Sequence, residues 1–291
     1  MKKKSILFFA LLIFSTVVML SSCKKEQTNT TTETETAPTV PPSSSFEMSF
    51  SDFPASAGKM ANVDSVVNPY SNAQYAIINV AWWNLIVGLY TVVPTAAFVE
   101  ALKHQATYVS KGSWEWTYDF TVLVKYTANL HATLVNNKDS VKWGMYISQQ
   151  NGFKNLLWFS GVSAFNGKSG NWTLNKDSII SSTEHMPIPC IYMEWNNNNN
   201  GITDLKYTDI LANDNGYGSY VKAGVLSNTA YFDSYYNIYL VNKNSTNHFT
   251  EIHWNKVDKS GQIKDTTYFK DNNWYCWDIK ANSLKNLSNC R

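Results

Sequence analysis

Apolar and polar residues alternate with a period of two through most of the chain after Gly112. One such row runs from Thr117 to Tyr126, a second from Asn129 to Leu134, and a third from Val141 to Ser148. Successive side chains of a strand point to opposite faces of the sheet, so this period predicts strands with one buried face. Further segments predicted as strands are 190–195, 205–210, 217–225, 232–241, 249–257, 264–269 and 274–277.

The links between these segments carry the residues of tight antiparallel turns. Asn-Gly pairs stand at 151–152, 166–167, 200–201 and 215–216, each between apolar runs. Asn and Gly accept the positive φ angles that short hairpin turns require. The sequence therefore predicts an α+β fold that is mainly β, an antiparallel meander of about eleven strands. A curved sheet or half-barrel and a two-sheet sandwich both fit this pattern.

A long uncharged stretch precedes the strands, from Ser65 to Val99. Within it, Ala73–Tyr90 is apolar on every side, which predicts a helix buried nearly all round. A membrane span and a buried pair of strands are the alternatives for the same residues. Pro94 suits the first turn of a second helix, predicted over Pro94–His104. One or two helices at the N-terminal end are thus expected to pack on the sheet.

The first residues have the composition of an export signal. Lys2, Lys3 and Lys4 are followed by an uncharged run from Ile6 to Leu20, then by two serines and Cys23. A basic start, a short apolar run and small residues before a cleavage point are typical of a signal peptide, and the run is short for a bilayer span. An uncleaved N-terminal anchor with an incidental Cys23 is the alternative.

The sequence Leu20-Ser21-Ser22-Cys23 resembles the lipobox of bacterial lipoproteins. The resemblance implies that residues 1–22 are removed and that the Cys23 thiol carries a diacylglyceryl group, with further acylation of the new N-terminus. Several acyl chains would hold the protein at a membrane permanently. Lys24 differs from the aspartate that typically retains such lipoproteins at the inner membrane in enterobacteria. The expected location is the outer membrane of the cell envelope, in either leaflet.

Residues 23–45 are predicted to be a lipidated cysteine and a disordered tether. Threonine and glutamate dominate 28–36, and prolines and serines follow as far as Ser45. A segment this polar buries too little apolar surface to offset the entropy of ordering it. The remainder, residues 46–291, has an ordinary length for a single β-rich domain.

The mature chain is expected to be nearly neutral. Its 24 basic residues fall to 21 when three lysines leave with the signal peptide, against 22 acidic residues. Bulk charge therefore gives no attraction to nucleic acid. Arg291 is the only arginine in the chain. The rarity of arginine argues against a phosphate or nucleotide site, where bidentate guanidinium contacts are favoured.

Three cysteines remain once Cys23 is lipidated, which allows one disulfide. We expect it to join Cys276 and Cys290 and to fasten the C-terminal tail to the last strand. Cys190 lies in an apolar run and is expected to be a small buried residue. No CxxC or HExxH spacing occurs, so the sequence predicts neither a metal site nor a cofactor.

Aromatic residues are the one compositional excess, at 14% of the chain. A large core would absorb most of them, but some are candidates for ligand contact. Tyr231, Tyr235 and Tyr239 are predicted on one strand, on the face opposite Phe232 and Tyr236. Glu251 and His253 are two residues apart on another predicted strand, so their side chains share a face and could serve acid–base chemistry or simply lie in solvent.

Two functions fit these observations, and the sequence does not decide between them. The first is a non-enzymatic envelope lipoprotein that binds a hydrophobic ligand or a protein partner on its sheet. The second is a surface module that binds or processes glycans. An apolar cavity lined by Trp and Phe would favour the first, and an exposed aromatic row flanked by Asp, Glu or Asn would favour the second. A purely structural subunit would show neither.

Overall fold

The structure is a computed structural model, and it describes residues 35–48, 71–135, 139–181, 184–198, 201–226, 231–243, 245–280, 283–287 and 290. Glu35–Arg291 forms one compact unit. The signal peptide, Cys23 and residues 24–34 lie outside the described residues. The predicted cleavage and lipidation therefore stay predictions.

Fourteen antiparallel strands form a single sheet in which every strand pairs with its neighbours in sequence. The fold is thus the predicted α+β meander, mainly β, although it has more strands than expected. The strands are β1 (Thr107–Ser110), β2 (Ser113–Val122), β3 (Val124–Val135), β4 (Ser140–Gln149), β5 (Leu156–Ala164), β6 (Ser169–Ile179), β7 (His185–Asn198), β8 (Gly201–Asp209), β9 (Tyr220–Val225), β10 (Ser234–Leu240), β11 (His248–Trp254), β12 (Gly261–Lys264), β13 (Tyr275–Lys280) and β14 (Ser283–Leu287).

Two of the predicted strand boundaries were wrong. The row from Thr117 to Tyr126 is not one strand, because the chain reverses at Leu123, where φ is 61°, and Val122 pairs with Val124. The segment 264–269 is also not a strand. Asp265 caps a short helix there, α2 (Thr266–Phe269), by accepting hydrogen bonds from the backbone N–H groups of Thr267 and Tyr268. A side-chain cap of this kind competes with strand formation.

The part of the uncharged stretch from Asn72 onward forms one long helix, α1 (Asn72–Ala101). Ser71 and Gln74 make a capping box at its start, each side chain bonding the other residue's backbone N–H. Pro94 lies inside the helix and does not begin a second one, so the separate helix predicted over Pro94–His104 was wrong. Proline cannot donate to the carbonyl of Tyr90 four residues earlier. The two segments Asn72–Gly88 and Tyr90–Ala101 accordingly meet at a bend of 59°.

The sheet curves around α1. The helix contacts β2 near one edge of the sheet, β6 in the middle, and β12, β13 and β14 at the other edge. Strands so far apart in the strand order can reach one helix only if the sheet bends around it. The half-barrel is therefore found, and the two-sheet sandwich is not. Polar anchors fix the helix, since the Tyr118 hydroxyl donates to the Ala97 carbonyl (2.6 Å) and the Asn72 amide to the Cys276 carbonyl (2.9 Å).

Aromatic side chains fill the space between α1 and the sheet. Eight of the eleven tryptophans are buried, and Trp83, Trp143, Trp172, Trp254 and Trp277 are almost completely inaccessible. The core therefore accounts for most of the aromatic excess. Trp82 is the exception, since 57% of it is exposed. All eleven tryptophans lie in the described ranges, and Trp82 is the only one classed as exposed.

Residues 35–48 belong to the domain, so the boundary predicted at Phe46 moves to Glu35. The Glu35 side chain accepts a hydrogen bond from the Gly112 backbone N–H (2.8 Å). Phe46 is fully buried against Phe98 and Trp172, with ring centroids 4.8 and 5.0 Å away. The Tyr207 hydroxyl donates to the Phe46 carbonyl (2.8 Å) and accepts from the Met48 N–H (3.0 Å). A free tether can then include only residues 24–34.

The structure confirms the predictions for Cys190, Cys276 and Cys290. Cys276 on β13 and Cys290 form a disulfide, which joins the C-terminal tail to the sheet. Cys190 on β7 is a buried free thiol. Burial raises the pKa of this thiol to about 12, so it stays protonated and unreactive.

Candidate functional site

A cleft of about 760 Å³ opens between α1 and the loops that follow β8 and β10. One wall is aromatic and comes from α1, and the facing wall carries polar groups from the two loops. The side chains that define it are Tyr75, Trp82, Trp83, Asp209, Asp214 and His248, with Lys243 at the β10–β11 loop and Tyr268 on α2. The β8–β9 loop contains the predicted Asn215-Gly216 turn.

A buried carboxylate holds the helical wall of the cleft in place. Asp265 is 1% exposed and accepts hydrogen bonds from the Tyr75 hydroxyl (2.8 Å) and the Thr250 hydroxyl (2.7 Å). The Tyr75 ring stacks on Tyr268, with centroids 3.7 Å apart. Burial, followed by the bond to Asp265, raises the pKa of Tyr75 far above its usual value. Asp265 thus links α1 and β11 through hydroxyl donors and α2 through backbone N–H donors.

Two carboxyl groups meet on the opposite wall. Asp209 at the end of β8 hydrogen-bonds the Asp214 side chain, and its own Oδ1 accepts from the Leu211 N–H (2.9 Å). Gly216 leaves room for the pair, because a Cβ there would lie 2.9 Å from Asp209 Oδ2 and 3.2 Å from Asp214 Oδ2. Burial, together with the neighbouring Asp214, raises the pKa of Asp209. Asp209 consequently binds a proton more tightly than a free aspartate does.

Asp209→Asn is expected to stabilise the fold slightly at neutral pH. The folded chain binds the Asp209 proton more tightly than the unfolded chain, so this group's stabilising contribution is complete below its ordinary pKa of 3.8 and is lost as pH rises through the raised value. Asparagine keeps the acceptor for Leu211 and removes the repulsion. The gain should be at most about 1 kcal/mol, since water screens a half-exposed pair.

Urea unfolding at acidic and at neutral pH measures this effect. Asp139→Asn, which removes an exposed carboxylate in the β3–β4 turn, is the control and should change stability by less than about 0.5 kcal/mol. A loss of stability in Asp209→Asn at neutral pH would show that the two carboxyl groups do not repel each other.

An exposed apolar face on α1 borders the cleft. Ile78, Trp82, Leu85 and Val92 are 43–57% exposed and recur at helical spacing. The opposite side of the helix, including Ala76, Val80, Trp83 and Val87, is buried against the sheet. We call the exposed set Ile78, Trp82, Leu85 and Val92 the α1 stripe. Trp82 belongs both to the stripe and to the wall of the cleft.

The residues predicted as sites lie elsewhere, mostly on the convex side of the sheet. Tyr235 and Tyr239 point outward from β10, and Glu251 and His253 from β11. Tyr231 is not on that strand. It precedes β10 and donates its hydroxyl to Asp258 (2.5 Å). Glu251 pairs with Lys264 (2.6 Å), and His253 Nδ1 contacts the Gln262 amide (3.2 Å).

Glu251 and His253, which the sequence offered as an acid–base pair, do not hydrogen-bond each other in the structure. The Glu251 carboxylate is engaged by Lys264, and the His253 ring lies against Trp274, with centroids 4.6 Å apart. Burial lowers the pKa of His253, although Glu251 opposes the shift. The imidazole is therefore mainly neutral at physiological pH.

Sequence reasoning missed the cleft. Trp82 was read as part of a helix buried all round, and the Asn213–Gly216 segment as a simple turn. The exposed side of an all-apolar helix leaves no periodic signal, because polar residues do not mark the solvent face. Comparison of the chain with family models, with curated proteins and with solved structures finds no match.

No single helix among the described residues is long and apolar enough to cross a membrane. The two segments of α1 pass that test only when taken together across their bend.

Proposed function

We propose that this chain is a lipid-anchored protein of the bacterial cell envelope whose domain binds a ligand carrying an apolar chain along the cleft and the α1 stripe. The lipobox-like Leu20-Ser21-Ser22-Cys23 supports the anchor. The observation that carries the binding proposal is the exposure of Trp82, a large apolar side chain at the junction of cleft and stripe.

Burying the α1 stripe against an apolar ligand would lower the free energy. Burying a large apolar side chain contributes about 1.5–3 kcal/mol, and contiguous exposed apolar patches are uncommon on monomeric proteins. No charged residue occurs on α1 before Glu100, so nothing on the stripe disfavours an acyl chain or a similar group. The polar wall with Asp209, Asp214 and Lys243 would contact the polar end of the same ligand.

The carboxyl pair in the cleft supports binding more than glycoside hydrolysis. Glycosidases hold their two carboxyl groups about 5–9.5 Å apart, on either side of the scissile bond. Asp209 and Asp214 lie on the same wall of the cleft, with the Oδ2 atoms of both against Gly216, and not on either side of a bound sugar chain. The pair is suited to accepting hydrogen bonds from a ligand.

A fluorescent long-chain alcohol, N-dansyl-11-aminoundecan-1-ol, whose hydroxyl can donate to the carboxyl pair, tests the proposal on the chain from Lys24 onward, which includes the whole compact unit. Wild type should bind the probe with energy transfer from tryptophan. Trp82→Ala should weaken binding about tenfold, the equivalent of roughly 1.4 kcal/mol of lost apolar contact.

Val257→Ala is the matched control, because Val257 is an 88% exposed apolar residue in the turn after β11. It should bind the probe as wild type does. Equal binding by wild type and Trp82→Ala, or no binding by wild type, would contradict an apolar ligand site at Trp82.

A further inference from the structure

The convex side of the sheet carries ordered rows of side chains across β7–β11, which we call the outer face. Strand register places Tyr192, Thr208, Tyr220, Tyr239 and Phe249 in one cross-strand row. The next row contains Glu194, Lys206, Lys222, Asn237 and Glu251. Neighbouring strands are about 4.8 Å apart, so the aromatic row extends over roughly 19 Å.

A groove of about 380 Å³ lies on this face over β7, β8 and β9. Glu194, Asp204, Lys206, Lys222 and Tyr220 line it. Gly224 separates Asp204 from Tyr235 in the cross-strand order. The groove does not share a lining residue with the cleft beside α1.

The polar groups of the groove are held in position before any ligand arrives. Lys206 Nζ lies 3.7 Å from Glu194 Oε2 and 4.7 Å from the Tyr220 ring centroid. Lys222 Nζ lies 3.2 Å from Asp204 Oδ1, and the Tyr235 hydroxyl donates to the same carboxylate. Tyr239 stacks on Tyr220, with centroids 5.4 Å apart. Preorganisation of this kind lowers the entropy cost of binding.

The charges of the groove cancel. Two ammonium groups, on Lys206 and Lys222, face two carboxylates, on Glu194 and Asp204. The carboxylates would repel an anionic ligand, and the lysines would repel a cationic one. The neighbouring hydroxyl groups of a sugar need both a hydrogen-bond donor and an acceptor, and the groove offers both. Tyr220 adds an aromatic wall for the apolar side of a sugar ring. We propose that this groove binds a neutral saccharide.

This site is independent of the proposed apolar ligand, and its test is separate. The full chain is reconstituted in phospholipid nanodiscs and titrated by calorimetry with maltohexaose, cellohexaose and mannohexaose, and with a hyaluronan hexasaccharide as the acidic counterpart. At least one neutral oligosaccharide should bind, and the acidic one should bind more weakly. Lys206→Met should reduce the affinity about tenfold or more, because it removes a charged hydrogen-bond donor and keeps the apolar stem.

Lys264→Met is the matched control. Lys264 also pairs with a carboxylate, Glu251, at 2.6 Å, and lies 4.9 Å from an aromatic centroid, that of Trp274, but it is outside the groove. It should bind as wild type does. The proposal is overturned if no neutral oligosaccharide binds, if the acidic one binds more tightly, or if both lysine variants lose affinity equally. Thermal unfolding close to that of wild type for both variants will show that the fold is intact.

Discussion

Phe46→Ala is expected to lower the free energy of unfolding by about 3–5 kcal/mol. Phe46 is fully buried, and its ring contacts Phe98 on α1 and both Phe159 and Trp172 on the sheet. Truncation would leave a cavity between the helix and the sheet that rigid aromatic neighbours cannot fill. Chemical unfolding followed by tryptophan fluorescence measures the loss, and Phe46→Leu, which keeps most of the volume, should lose much less.

Phe165→Ala serves as the control for this measurement. Phe165 lies in the β5–β6 turn and is 41% exposed, so its removal should cost no more than about 0.5 kcal/mol. If the two alanine variants unfold alike, residues 35–48 do not pack as the structure has them. In that case the free tether would extend to Ser45, as the sequence predicted.

Cys23→Ala should abolish acyl labelling and leave the precursor uncleaved. Each buried CH₂ contributes about 0.8 kcal/mol, so two or three acyl chains would anchor the mature protein, and the variant has no thiol to carry the diacylglyceryl group. Labelling of cells with a radioactive fatty acid, followed by gel analysis, should show no label and an unprocessed precursor. The variant changes nothing in the compact unit Glu35–Arg291.

Ser22→Ala is the matched change beside it, because alanine keeps the small residue that the cleavage site needs. It should be labelled and processed normally. Normal labelling of Cys23→Ala would refute the lipoprotein proposal without affecting the two binding proposals.

Much of the fold could be predicted because strands leave a local pattern of alternating apolar and polar residues. The alternation over Asn129–Leu134 and Val141–Ser148 matches β3 and β4, and the pairs Asn151-Gly152 and Asn166-Gly167 lie in hairpin loops. With short links the chain can pair only adjacent strands. The mainly β meander therefore followed from period and turns, and the N-terminal helix on the sheet from its long apolar stretch.

The failures occurred where a local pattern was compatible with more than one structure. Leu123 occupies a polar position of the alternating row, and the chain reverses there between β2 and β3. Pro94 can begin a helix, yet here it bends one, because the sheet supports α1 on both sides of the bend. The composition of the Pro- and Ser-rich residues before Phe46 predicts disorder. In the structure Phe46 is part of the hydrophobic core, and Ala37 and Val40 pack against that core.

The sites required the tertiary structure. The sequence determined that Tyr235, Tyr239, Glu251 and His253 share a face, since that depends only on the period of a strand. The sequence did not allow us to predict that Trp82 and Asp209 line the same cleft or that Lys206 lies opposite Glu194. Helix docking and cross-strand register depend on contacts between distant residues. Local chemistry thus determined the elements and the expected anchor, and packing around α1 decided which side chains form the cleft and the groove.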